Sequence, residues 1–200
     1  MAAPDVAGRP ESGPRRRVLE TATRLFYAEG IHTVGIDRII AEARVAKATF
    51  YKHFPSKDEL VRAYVEEQDR LGRAAAAELP AQPPREMVFT FFDHLARAAR
   101  QPGYRGCPFL NAAAEYPDPA SPVRKAVDDH RRWNRDFLQG LLNAAGHPDP
   151  TTTADILVLI GDGLLVSGEL DDPSDLPALI RDAVARVLHV RRRATFATAR

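Results

Sequence analysis

The 200-residue chain has one cysteine, one tryptophan and two methionines. A lone Cys107 forms no internal disulfide, and no Cys/His spacing resembles a zinc site. Neither a covalent staple nor a structural metal is expected, and no cofactor is implied. Long apolar runs are missing too. The longest, Ile156 to Ile160, is a fraction of the roughly 20 residues that a bilayer requires. Met1 to Pro14 contains no apolar signal core, so a cytosolic (cytoplasmic) protein without a membrane partner is expected. Catalytic signatures are equally scarce: there is no Gly-x-Ser-x-Gly, no Gly-x-Gly-x-x-Gly, no phosphate loop and no His-Glu-x-x-His. An enzyme would have to use Glu115, His130 and Asp162 as acid/base groups on a helical frame, and the expectation is that the chain is not an enzyme. A dominant charge is also lacking, because 28 basic residues nearly cancel 27 acidic ones, leaving +1.

What is present is a globular composition, 44% hydrophobic and 28% charged, with the basic residues unevenly placed. Between Arg9 and Lys57 ten basic residues face five acidic ones. From Val61 onward, 18 basic residues meet 19 acidic ones, so the positive field is concentrated in the first quarter. That is the distribution expected of a segment that meets a polyanion, although a solvated basic face would look the same.

Apolar residues recur at helical spacing and strand alternation is absent, so the expected fold is all-α with about nine helices. Val18, Ala22, Leu25 and Phe26 stripe a first helix from near Arg15 to Glu29, stopped by Gly30. Ile36, Ile39, Ile40 and Ala43 mark a two-turn helix behind Gly35. After a break at Arg44 to Ala46, a third helix runs from Lys47 to Phe54. Ser56 and Glu59 form a capping box opening a fourth, to about Glu78. Further helices are expected at Arg85–Arg100, Cys107–Glu115, Val123–Ala145, Thr151–Glu169 and Ser174–Arg193. The implied organisation is a flexible arm (1–14), a helix-turn-helix unit (15–60), a larger helical unit for ligand binding and dimerisation (61–193) and a tail (194–200).

Two short helices joined by a three-residue turn, the second rich in Lys, Thr, Tyr and His, have the layout of a DNA-reading helix-turn-helix. Ile36, Ile39, Ile40, Val45 and Phe50 would pack it against the first helix. The run from Thr33 to Leu60, with Ala48-Thr-Phe-Tyr-Lys-His-Phe-Pro-Ser-Lys-Asp-Glu-Leu60 at its core, resembles the tetracycline-repressor (TetR-type) family of transcriptional regulators. The resemblance implies DNA contacts by Arg38, Lys47, Ala48, Thr49, Tyr51, Lys52, His53 and Lys57. Lys47, Ala48 and Thr49 would lie near base edges, and Tyr51, Lys52, His53 and Lys57 near phosphates. Tyr51 could instead be largely core and His53 a cap of its own helix, while Phe50 and Phe54 read as core. Three positions depart from the family pattern. Gly35 and Ala46 replace side-chain caps, the latter at ~1 kcal/mol, and Arg44 stands where Gly is usual, which strains it if the turn needs positive φ.

Gly106-Cys-Pro-Phe-Leu-Asn-Ala-Ala-Ala-Glu-Tyr116 and the Asp128-Asp-His-Arg-Arg-Trp133 stretch resemble a recurrent subgroup of the same family. Asn111 and Glu115 share a helix face. With Phe89, Phe92, Leu95, Phe109, Trp133 and Phe137 they could line a small-molecule pocket, or all could be ordinary core. Cys107, at a helix N-terminus, would have a lowered thiol pKa and could sense electrophiles or oxidants; the alternative is an inert buried thiol. Asp162 is expected at a subunit interface rather than in a pocket. The resemblance implies that the last two helices pair with a second copy, and Val158, Leu159, Leu165, Val166, Leu179, Ile180, Val184, Val187 and Leu188 exceed one subunit's need. The function implied is a repressor that binds a palindromic operator as a homodimer and is released by a small molecule, with an activator or a Cys107-based sensor as alternatives.

Overall fold

The computed structural model describes residues 13–172 and 174–189. Among them are nine α-helices and no strand: α1 (Pro14–Glu29), α2 (Ile36–Ala43), α3 (Lys47–His53), α4 (Lys57–Ala77), α5 (Pro84–Ala98), α6 (Pro108–Glu115), α7 (Pro122–Ala144), α8 (Pro150–Leu170) and α9 (Leu176–His189). The arm up to residue 12, the tail and the expected last turn at 190–193 lie outside the described residues.

Proline and glycine punctuate this all-helical chain. Five helices (α1, α5, α6, α7 and α8) begin on a proline, whose missing N–H is one the first turn cannot use and whose φ is already helical. Gly30 ends α1 at φ 90°, a backbone that a side chain rarely tolerates. Ser56 caps α4 by accepting from the Glu59 amide at 3.1 Å. The reciprocal half of the expected capping box is not made, because the Glu59 carboxylate instead pairs with Arg62 at 2.7 Å. Gly35 and Ala46 precede α2 and α3 with no side-chain cap.

Burial divides the chain into two cores. The first joins α1, α2, α3 and the N-terminal half of α4, and it also takes in Phe109, Ala112 and Tyr116 of the α6 region and Val123 and Val127 of α7. The second joins α5, the C-terminal half of α7, α8 and α9. Packing therefore does not break at residue 60. The α4 helix runs out of the first core, and α6 and the start of α7 reach back into it.

Candidate nucleic-acid interface and effector cavity

The α2–turn–α3 unit is held from below. Ile39 and Phe50 are fully buried, Phe54 nearly so, and Ile36, Ile40 and Val45 pack partly buried against the same core. Arg44 closes α2 at φ 53°, ψ 51°, so the turn does require the left-handed region, occupied here by a β-carbon-bearing residue.

What this packing leaves outward is one continuous face of α3. Arg44, Lys47, Ala48, Tyr51 and Lys52 are exposed, and Thr49 and His53 are half-buried at its edges. Tyr51 is 41% exposed with its ring edge against Phe50, so it is not the core residue that its aromaticity allowed. No acidic residue lies on α3 itself. Asp37 does reach Lys47 at 3.2 Å, but both groups are so exposed that the pair is weak. Three arginines, Arg15 to Arg17, occupy the first turn of α1, where the helix dipole already favours anions over cations. Arg15 lies over the Phe54 ring at the C-terminal end of α3, 5.2 Å from its centroid.

Arg38 and Lys57 differ from the rest. The Arg38 guanidinium is held bidentately by Glu29, at 2.5 and 2.8 Å, and by Glu42 at 2.9 Å. It must leave these carboxylates to meet a phosphate. Lys57 is half-buried at the start of α4; burial lowers its pKa, with Glu115 and Asp58 acting in the opposite direction.

A cavity of about 540 Å³ opens among α1, α4, α5, α6, α7 and α8, and its wall is mostly apolar. That volume suits one drug-sized molecule. Of the eight residues expected to line a pocket, Phe92, Leu95, Phe109 and Trp133 are on its wall, and so is the ligand-site candidate Cys107. Phe89, Asn111, Glu115 and Phe137 are not, and each has another partner. Phe89 lies under the Arg181 guanidinium at 5.5 Å, and Phe137 stacks on Trp133 and lies tilted against Phe91. Asn111 donates to the Arg105 carbonyl at 2.7 Å, tying down the α5–α6 connection.

Glu115 has a role that sequence spacing did not disclose. Its two carboxylate oxygens accept from the Ile31 and His32 amides, at 2.8 and 2.6 Å, in the turn after α1. His32 returns a contact to the Glu115 carbonyl at 2.8 Å and stacks on Tyr116, whose hydroxyl donates to Asp58 at 2.9 Å. The C-terminal end of α6 is thereby clamped to the α1–α2 turn, while the other end of α6 forms cavity wall. No local pattern marks this, since the acceptor and its amides are more than 80 residues apart.

Two further expectations are corrected. Burial pushes the Cys107 thiol up, outweighing the amides of Leu110 and Phe109 and the nearby Arg131, so the lowered pKa expected at a helix N-terminus is not found. Asp162 is on the cavity wall, and both its oxygens are taken by Arg131 at 3.0 and 2.8 Å. Among the described residues no group of His, Cys, Asp or Glu could hold a metal ion, and no helix is long and apolar enough to cross a membrane.

A helix-turn-helix that presents a cationic, acid-free helix face, carried on a helical body with an apolar cavity, defines a DNA-binding regulator. Comparison with known proteins assigns the family. The model for bacterial regulatory proteins of the tetR family matches residues 18–64, and that for the tetracyclin repressor-like C-terminal domain matches residues 112–190. The crystal structure of SCO4454, a TetR-family transcriptional regulator from Streptomyces coelicolor, superposes with a TM-score of 0.82 at 46% identity, covering 88% of this chain and 94% of that one. The HTH-type transcriptional regulator LmrA of Bacillus subtilis is 27% identical over 160 residues, 76% of this chain and 85% of LmrA. YjdC of Escherichia coli, also an HTH-type transcriptional regulator, is 23% identical over 154 residues, 76% of this chain and 81% of YjdC. The chain belongs to the TetR family of transcriptional regulators, and its relatives are regulators rather than enzymes.

Proposed function

We propose that the chain is a repressor that binds a palindromic operator as a homodimer, in the cytoplasm, and leaves it when a small molecule fills the cavity. The observation that carries the DNA half is the exposed face of α3, with Lys47, Ala48, Tyr51 and Lys52 outward on a helix without an acidic residue. Lys47, Ala48 and Thr49 stand at its leading end, within reach of base edges, and Tyr51, Lys52 and His53 follow toward the backbone. Lys57 and Arg38 flank it, the latter after exchanging carboxylates for phosphate. The unit formed by residues 15–60 would be the reader, and the remainder, from 61, the sensing and dimerising body.

The release half is supported by the Glu115 clamp. A molecule that displaces the cavity end of α6 strains or breaks the hydrogen bonds to Ile31 and His32 at its other end. The recognition unit is thereby coupled to cavity occupancy, and operator affinity falls only by the ligand's differential affinity for the two arrangements. The Gly106–Tyr116 motif that suggested a family subgroup builds both ends of this connection.

Replacing Tyr51 and Lys52 together by alanine tests the DNA reading. The double variant should lose at least about tenfold in affinity for the promoter upstream of its own gene, and its salt dependence should shallow by about one ion. Undiminished, equally salt-sensitive binding would overturn the assignment of α3. Both side chains are exposed, so the fold should survive, and helical circular dichroism checks that.

A further inference from the structure

The cavity wall is more specific than its apolar surface suggests. His130, on α7, lies flat on Phe109 with ring centroids 3.4 Å apart and planes 4° from parallel. Its Nδ1 is 2.8 Å from an Asp69 carboxylate oxygen on α4. An ionised carboxylate can only accept, so Nδ1 carries the hydrogen and donates it, and in the neutral ring the lone pair falls on Nε2. That ring is on the cavity wall, and Nε2 has no hydrogen-bond partner among the described residues and is not shut off by neighbouring atoms. Burial lowers the His130 pKa, opposed by Asp69 and helped by Arg73 and Arg131, which favours the neutral ring.

One turn further along α7, on the same face, Asn134 also lies on the wall, and its Oδ1 is buried with no donor. A fixed, unsatisfied acceptor and an unpartnered amide therefore stand four residues apart. Of the wall's other ionisable groups, Asp162 is neutralised by Arg131, Arg24 by Glu42 at 2.5 Å, and His94 is an exposed side chain. The hydroxyls of Tyr27 and Tyr104 already donate to the carbonyls of Gly106 and Leu165. The amides of Gln68 and Asn134 can each turn to offer a donor or an acceptor, so the acceptor fixed by its own partner, His130 Nε2, decides.

We infer that the effector is an uncharged aromatic molecule bearing a hydroxyl or N–H donor, which it gives to His130 Nε2, with the Asn134 amide as its neighbour. Its ring system lies among Phe92, Phe109 and Trp133. This rests on the ligand-released reading of the cavity. A charged effector would have to be stripped of water against a mostly apolar wall whose Asp162 and Arg24 are already paired, which is costly.

Trp133 is the only tryptophan and lines the cavity, so its emission reports occupancy directly. The test titrates the full-length protein with β-naphthol, its methyl ether, β-naphthoate and the cationic β-naphthylmethylamine. The naphthol should bind at least about tenfold more tightly than its ether, the value of one hydrogen bond to a buried acceptor, and both ions should bind more weakly still. In His130→Phe, which keeps a ring against Phe109, the preference for naphthol over ether should fall below about threefold while both still bind. In Asp69→Asn, which frees the tautomer, it should shrink as well. Equal binding of naphthol and ether by the native protein, a preference that survives His130→Phe, or tightest binding by either ion would overturn the inference while leaving the cavity a ligand site. Failure of every probe to alter Trp133 emission would overturn both the inference and the release model on which it stands.

Discussion

Arg44 concentrates two opposing demands in one residue. The turn between α2 and α3 needs a left-handed residue, and at φ 53°, ψ 51° an arginine pays for the close approach of its β-carbon to the following carbonyl. Its side chain, however, is exposed three residues before Lys47, at the start of the face proposed above to meet DNA. Arg44→Gly should therefore stabilise the fold by roughly 0.5–1 kcal/mol, the steric relief less the added freedom of the unfolded chain. The urea midpoint should rise at unchanged slope. The same change should weaken operator binding and remove about one ion from its salt dependence. A variant that is no more stable would mean that the turn carries no strain. Cys107 shows the same kind of competition with a different outcome: the α6 amides favour a thiolate, but burial prevails.

At the level of elements, α8 is the helix whose glycines have separate uses. Gly168 lets it approach the end of α5 so closely that a β-carbon there would lie 2.6 Å from Ala99 Cβ, 3.5 Å from Ala99 Cα and 3.3 Å from Tyr104 Cε1. Ala99 cannot yield without moving backbone, so Gly168→Ala should cost about 1–3 kcal/mol despite the better helix propensity. Gly140→Ala in α7, with nothing within 4 Å, should instead raise stability by up to about 1 kcal/mol. Thermal unfolding of the two variants should move in opposite directions, and parallel shifts would remove the close-packing explanation. Helices such as α5 and α7 were legible because apolar residues stripe them between Pro/Gly breaks, and the α2–turn–α3 unit because its turn and its Lys/Thr/Tyr/His helix are local features. The cavity was only half legible. Spacing places Asn111 and Glu115 on one side of α6, but that side faces backbone groups of the α1–α2 turn and the α5–α6 connection, which no local pattern announces. Phe89 and Phe137 belong to apolar stripes whose partner is decided by where α9 and Phe91 pack. His130, Asn134 and Asp162 were obscured because each is polar in an amphipathic or apolar run and acquires its meaning only from Asp69 and Arg131.

For the whole molecule, the unsolved question of burial is the outer face of α8. Ile156, Leu159, Val166 and Leu170 follow one another at three- and four-residue steps around Gly163, and all four are exposed, Leu159 at 68% and Leu170 at 75%. Leu179 of α9 is 65% exposed as well. Val158, Ile180, Val184 and Leu188, by contrast, are consumed by the chain's own core, so the surplus apolar surface is narrower than the full set of nine suggested. A contiguous apolar stripe at this spacing is the geometry by which helices pair, and the homodimer proposed above would use it to bring a second α3 to the same operator. The second half-site is then bound at high effective concentration, which adds orders of magnitude without a new contact. Leu159→Glu places a charge in the middle of the stripe without touching either core. It should convert the protein to a folded monomer at micromolar concentration by sedimentation, lower operator affinity at least about a hundredfold and roughly halve the salt slope, because only one half-site's phosphates are then neutralised. A variant that sediments as the native protein does and binds with the native slope would show that this stripe is not where two copies meet, and the spacing argument for a palindromic operator would fall with it.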